Sequence, residues 1–163
     1  EFLRSPVFDS YGKMEKLNRH LLVAYCGIPH DSSDVNARWV NDFKSGRAYD
    51  AFERITGLTR QFTSALSTFS FKEAAQLMNR ETAVRCDMTP DVLDNSGIKL
   101  WESAKAQGCG ARFTGAGGGG CLWAVGEETD IDKLKTQWQK ILDPIDGAMV
   151  LDTAIDPKGI FVH

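Results

Sequence analysis

The chain has 163 residues, enough for one hydrophobic core and too few for two full domains. Its 42% hydrophobic content and four Trp exclude a disordered chain. A formal net charge of -3 is not the basic footprint of a nucleic-acid binder, and no apolar run approaches the roughly 18 residues of a membrane crossing.

The first element is an apolar run, "HLLVAYC" at 20–26, ended by Gly27 and Pro29, which predicts a buried strand. Asp31 to Asp34 offers helix caps, and Val35, Trp39, Val40 and Phe43 share one helical face before Gly46. Phe52, Ile55, Leu58, Phe62, Leu66 and Phe69 predict a second helix, and Ser70 with Glu73 makes a capping box for a third through Ala74, Leu77 and Met78. A fourth is predicted from Thr89, with Pro90 in its first turn and Leu93, Gly97, Leu100 and Ala104 along one stripe. Residues 31–107 are thus expected to be helical.

The period then changes. "ARFT" (111–114) and "CLWAV" (121–125) are strand-like, 129–142 predicts a helix with Ile131, Leu134, Trp138 and Ile141 inward, and "AMVLDTAI" (148–155) is a final strand. The class is α+β, a ferredoxin-like antiparallel β-α-β-β-α-β sheet with a multi-helix bundle in the first crossover.

Between the two middle strands lies "FTGAGGGGC". Gly115, Gly117 and Gly120 satisfy G-x-G-x-x-G, but a strand follows where a dinucleotide fold needs a helix, and the Walker pattern fails at Cys121 and Leu122. Strand, glycine loop and strand remain. Successive N–H groups in such a loop form an anion-binding nest, set against a plain hairpin connection.

The loop "FTGAGGGGC" resembles the third motif of the GHMP kinases, with Thr114, Gly115, Ala116, Gly117, Gly118, Gly119, Gly120 and Cys121 each matching its mevalonate kinase and sugar kinase forms. "LLVAYCGIPHDSSDVN" and "TPDVLDNSGIKLWESAKAQGCGAR" are also similar to galactokinase-like and heptose-phosphate kinase relatives, so the resemblance runs from residue 20 onward. It implies a GHMP kinase C-terminal domain at 20–163, with 1–19 a lead-in from an N-terminal domain. The second-motif phosphate loop has no counterpart, the nearest string being "TGLTRQF" at 56–62 inside a helical pattern.

The activity implied is transfer of a phosphoryl group from ATP to a sugar or sugar phosphate. ATP and Mg²⁺ are expected to be held mainly by an N-terminal GHMP kinase domain, which is the expected partner. The isolated chain is expected to be inactive, with no catalytic or metal-ligating residue of its own. Residues 114–120 are the expected phosphate-side contacts, and Arg112, His30 and Ser32 the expected substrate contacts. The other possibility is a stand-alone, non-catalytic binding or subunit domain that pairs with a separate N-terminal polypeptide.

Plainer roles stand beside these. His30, Asp31, Ser32, Ser33, Asp34 and Asn36 also read as a helix-capping cluster, and Arg112 as a solvent-facing residue of an edge strand. Trp39, Trp101, Trp123 and Trp138 read as packing, and Glu127, Glu128, Asp130 and Asp132 as a helix start. Cys26, Cys86, Cys109 and Cys121 form no C-x-x-C pair and read as apolar residues of a reducing compartment. No signal or transit peptide opens the sequence, so cytoplasm is the default location; Glu1 in place of Met implies a processed start or a piece of something longer.

Overall fold

The computed structural model describes residues 7–8, 11–29 and 33–156. Four strands, β1 (Leu21–Tyr25), β2 (Gly110–Phe113), β3 (Cys121–Val125) and β4 (Met149–Leu151), form one antiparallel sheet in the order β2-β3-β1-β4. β3 lies between β1 and β2, and β1 lies between β3 and β4, so each helical crossover skips one strand. The α+β class and the β-α-β-β-α-β element order are as the sequence predicts. A helix that the periodicity does not predict, α1 (Tyr11–Asn18), precedes them and buries Leu17.

Period-two alternation divides the sheet into two faces. Leu22, Ala24, Ala111, Phe113, Leu122 and Ala124 point to one face, where α5 (Asn95–Ala106) and α6 (Glu128–Leu142) bring Leu100, Ala104, Leu134 and Trp138. Trp138 is fully buried, and its Nε1 donates to Leu100 O at 3.0 Å. The opposite face carries Val125, Leu21 and Trp123 against α3 (Tyr49–Ser67) and α4 (Phe71–Met88). α2 (Ser33–Lys44) leans on α3; of its predicted apolar face Val35 is buried and Trp39 packs on the core, while Val40 and Phe43 stay exposed, Phe43 edge-on to Phe52.

The four helices predicted over 31–107 are separated in three places, near the predicted boundaries. Residues 45–48 form a turn between α2 and α3. α3 ends in a Schellman turn: Phe69 takes φ 58°, Ser70 N donates to Ala65 O at 2.9 Å, and Phe69 N donates to Leu66 O at 3.0 Å. A non-glycine residue at that φ is strained, and stacking of Phe69 on Phe8 and its edge contact with Phe71 hold it. Ser70 is the N-cap of α4, but its hydroxyl pairs with Thr68 Oγ1 at 3.1 Å, so the predicted capping box does not form. α5 starts at Asn95, not at Thr89; Asp94 is its N-cap, its Oδ1 accepting from Gly97 N at 2.9 Å.

Helix α4 sits directly on the edge strand β2. Asn79 Oδ1 accepts from Ala111 N at 3.2 Å, Asn79 Nδ2 donates to Cys109 O at 2.9 Å, and Thr82 Oγ1 donates to Ala111 O at 2.9 Å. These side chains satisfy backbone groups that have no neighbouring strand. Gly110 makes the seat possible, because a Cβ there would run into the backbone of Ala75. No helix among the described residues is long and apolar enough to cross a membrane.

Gly110→Ala should therefore lower stability by about 1–3 kcal/mol through overpacking, where Gly→Ala at a tolerant site is neutral or stabilising. Urea denaturation followed by circular dichroism checks this, and an unchanged midpoint would show that α4 shifts without cost.

Candidate functional site

The glycine loop closes the β2–β3 hairpin. Thr114 N and Thr114 Oγ1 both donate to Cys121 O, at 2.8 and 3.1 Å. Beyond them Gly115, Gly117, Gly118, Gly119 and Gly120 take φ values of 64, 82, 76, 113 and 80°, all in the left-handed region that L side chains rarely enter. The glycines are thus demanded by the backbone path.

What comes close to the loop is the chain itself. Gly118 N donates to Val92 O and Gly120 N to Ile28 O, each at 2.9 Å, and Cys26 N donates to Gly120 O at 2.9 Å. A Cβ on Gly117 would collide with Val92 O and press on Phe113, and one on Gly119 would stand 3.0 Å from Pro29 O. The loop is stitched between the exit of β1 and the 89–94 turn. Among the described residues, the N–H groups of Gly115, Ala116, Gly117 and Gly119 have no hydrogen-bond acceptor. Thr114 and Gly115 are exposed, while Ala116 is 6% exposed.

The 89–94 turn is held from α2. Arg38 Nη2 donates to both oxygens of Asp91, at 2.9 and 2.8 Å, and Trp39 Nε1 donates to Thr89 Oγ1 at 2.8 Å. Hydrogen bonding to Arg38 holds the Asp91 carboxyl below the usual carboxylate range. Periodicity hides this part of the site, because "TPDVLD" reads as the start of α5. The signal available in the sequence was Asp94 three residues before Gly97, a cap placed five residues after Thr89.

Arg112 lies one face away from Phe113, as the alternation predicts, but it does not run free to solvent. Its Nε stands 3.2 Å from Glu81 Oε2, and Arg85 Nε donates to Glu81 Oε1 at 2.7 Å. Burial lowers the Arg112 guanidinium from its ordinary range. Ile28 and Pro29 bring the following segment against Gly119 and Gly120, while His30 and Ser32 lie outside the described residues. Cys26 and Cys109 are buried, which pushes both thiols up to about 12; Cys86 and Cys121 are half-buried, and all four are free.

With this geometry the comparisons agree. The family model described as GHMP kinases C terminal matches residues 62–143, and the chain belongs to that family. In fold it is similar to the Streptococcus pneumoniae phosphomevalonate kinase at 18% identity and a TM-score of 0.68, covering 83% of this chain and 40% of that one. It is also similar to the L. major mevalonate kinase in complex with R-mevalonate (18%, TM-score 0.66, 80% and 41% covered) and to the Lactococcus lactis galactokinase complexed with galactose (16%, TM-score 0.62, 81% and 44% covered). The chain spans about two fifths of the length of these solved structures. No curated protein matches it.

If the loop's backbone path fixes its glycines, position matters more than composition. Gly117→Asn should cost about 2–4 kcal/mol, from strain plus collision with Val92. Gly115→Asn, exposed and at a φ that Asn tolerates, should cost less than about 1 kcal/mol. Equal losses in paired urea melts would refute the packed loop.

Proposed function

We propose that residues 20–163 are the C-terminal domain of an ATP-dependent small-molecule kinase whose acceptor is a hydroxyl of a sugar or sugar phosphate. In this reading 1–19 lead in from an N-terminal GHMP kinase domain that is the partner in the reaction. One observation carries it: a glycine loop of the family's type in which the N–H groups of Gly115, exposed, and of Ala116, Gly117 and Gly119, buried, have no acceptor among the described residues, while those of Gly118 and Gly120 are fixed to Val92 and Ile28. Fixed N–H groups without an acceptor suit a phosphate or a phosphate-holding loop from the partner. The complex of the S. pneumoniae phosphomevalonate kinase with phosphomevalonate and AMPPNP supports a nucleotide as the donor for the family.

ATP would supply the transferable phosphoryl group and Mg²⁺ the neutralising charge, both held mainly by the partner domain. This chain's part is positioning. The three backbone hydrogen bonds at Gly118, Gly120 and Cys26 fix the loop to Val92, Ile28 and the end of β1, and Thr114 ties its entry to Cys121. Phosphoryl transfer depends on such placement. His30 and Ser32, which follow the Ile28–Pro29 contact with the loop, are the proposed substrate-side residues. Arg112 belongs with them as a charge next to the loop, shared with Glu81.

Joined to a half that carries the phosphate loop, the chain should phosphorylate a sugar or sugar phosphate in a coupled assay. Gly118→Val should then cut kcat about a hundredfold, since a displacement near 1 Å at the phosphates has that effect. Its folding cost of about 1–3 kcal/mol should still leave a folded protein. Early melting with near-normal kcat per folded molecule would reduce the loop to a connection, and turnover by the chain alone would overturn the division between halves.

A further inference from the structure

Helix α4 and strand β2 set two guanidinium groups on one carboxylate. Glu81 takes Arg85 through Oε1 and Arg112 through Oε2, and the three side chains are 6, 12 and 29% exposed. The cluster therefore carries a net positive charge in a largely buried place, where a cation without a counter-ion is costly. Glu81 Oε2 and Arg112 Nε are both buried without a hydrogen-bond partner. Arg85 lies 4.6 Å over the Trp39 ring and Arg112 5.4 Å from the centre of the Phe113 ring, but Arg112 makes no hydrogen bond among the described residues.

Arg112 and Glu81 form the polar end of a cavity of about 210 Å³ between α3, α4 and the β2–β3 hairpin. Its walls are Leu58, Phe62, Leu77, Met78 and Trp123, with Phe62 edge-on to Trp123 at 6.0 Å. Thr59 and Thr63 also line it, but their hydroxyls donate to Ile55 O and Thr59 O, which leaves Arg112 as the donor of the cavity. The volume equals that of about seven waters, enough for one ring and a carboxylate.

We propose that this cavity binds a small monocarboxylate with an apolar or aromatic body, the carboxylate on the Arg112 guanidinium and the body against Phe62 and Trp123. Arg112 presents Nε to Glu81, so its two terminal nitrogens remain for a planar carboxylate, which accepts two parallel hydrogen bonds from such an edge. One negative charge balances the cluster. A dianion such as inorganic phosphate would overshoot it and meet Glu81 Oε2 at close range. An amine would meet two guanidinium groups. The site shares no residue with the 114–120 loop; of its lining only Arg112 is also placed on the substrate side above, and the carboxylate site stands whether or not the chain takes part in phosphoryl transfer.

Calorimetry on the chain tests this with phenylacetate, its neutral isostere phenylacetamide, and inorganic phosphate. Phenylacetate should bind saturably at one site, the amide about tenfold more weakly, and phosphate should not displace it. Arg112→Gln should erase the difference between acid and amide. Thr63→Phe, made at an exposed rim position, should fill the mouth and weaken both aromatic ligands about tenfold. Should Arg112→Gln fail to fold, Thr63→Phe and the acid–amide comparison decide alone. Absence of saturable phenylacetate binding in the millimolar range would overturn the site. So would equal binding of acid and amide, displacement by phosphate, or a Thr63→Phe variant with unchanged affinity.

Discussion

The seat of α4 on β2 is the contact from which the rest of the molecule follows. An edge strand has backbone groups that no strand satisfies, and here Asn79 and Thr82 satisfy them from a helix. That is possible because residue 110 has no side chain to hold Ala75 away. Once α4 is fixed there, Glu81 meets both Arg85 and Arg112, and the turn that follows the helix delivers Val92 to the glycine loop. The helix thus sets the charge cluster on its face of the sheet and, through Val92, one anchor of the loop.

The loop itself is a junction between three parts of the chain. β1 reaches it through Cys26, the segment after β1 through Ile28 and Pro29, and the turn before α5 through Val92. Five consecutive or near-consecutive positive φ values are tolerable because no Cβ is present at those positions. The same absence lets carbonyl groups from both sides come within hydrogen-bond range. A loop so restrained keeps its remaining N–H groups in fixed directions, as preorganised recognition of an anion or of a partner loop requires. The Arg38–Asp91 pair and the Trp39–Thr89 hydrogen bond carry the restraint outward to α2, whose entry follows the segment that touches the loop.

Much of the fold was legible in the residues. The strands at 21–25, 110–113 and 121–125 lie within a residue of their predicted runs, and α6 within a residue of its start, because a buried strand or an amphipathic helix writes its period directly into the chain. The family motif was legible for the same reason: each glycine answers a backbone angle that other residues reject. The fourth strand, shorter at Met149–Leu151, and α5, starting six residues late, were not. β4 pairs only with Val23–Tyr25 of β1, and the 89–94 segment is held out of the helix by the Gly118–Val92 hydrogen bond and by the bonds of Arg38 and Trp39 to Asp91 and Thr89. Ser70 failed as a capping box because the strained Phe69 turned its hydroxyl toward Thr68.

By itself, then, the sequence determined the α+β class, the order of elements and the identity of the glycine loop, all properties carried by local pattern. Only the tertiary structure decided what the loop touches and where Arg112 spends its charge. Arg112 and Glu81 are 31 positions apart, and Gly118 and Val92 are 26 apart. No period links such pairs, because contacts of that kind are chosen by how helices pack on the sheet. The apolar face predicted for α2 shows the same limit: Val35 and Trp39 turn inward, but Val40 and Phe43 stay exposed, Phe43 with Phe52 of α3 at its edge. Pattern says which side of an element is apolar, and packing geometry decides what covers it.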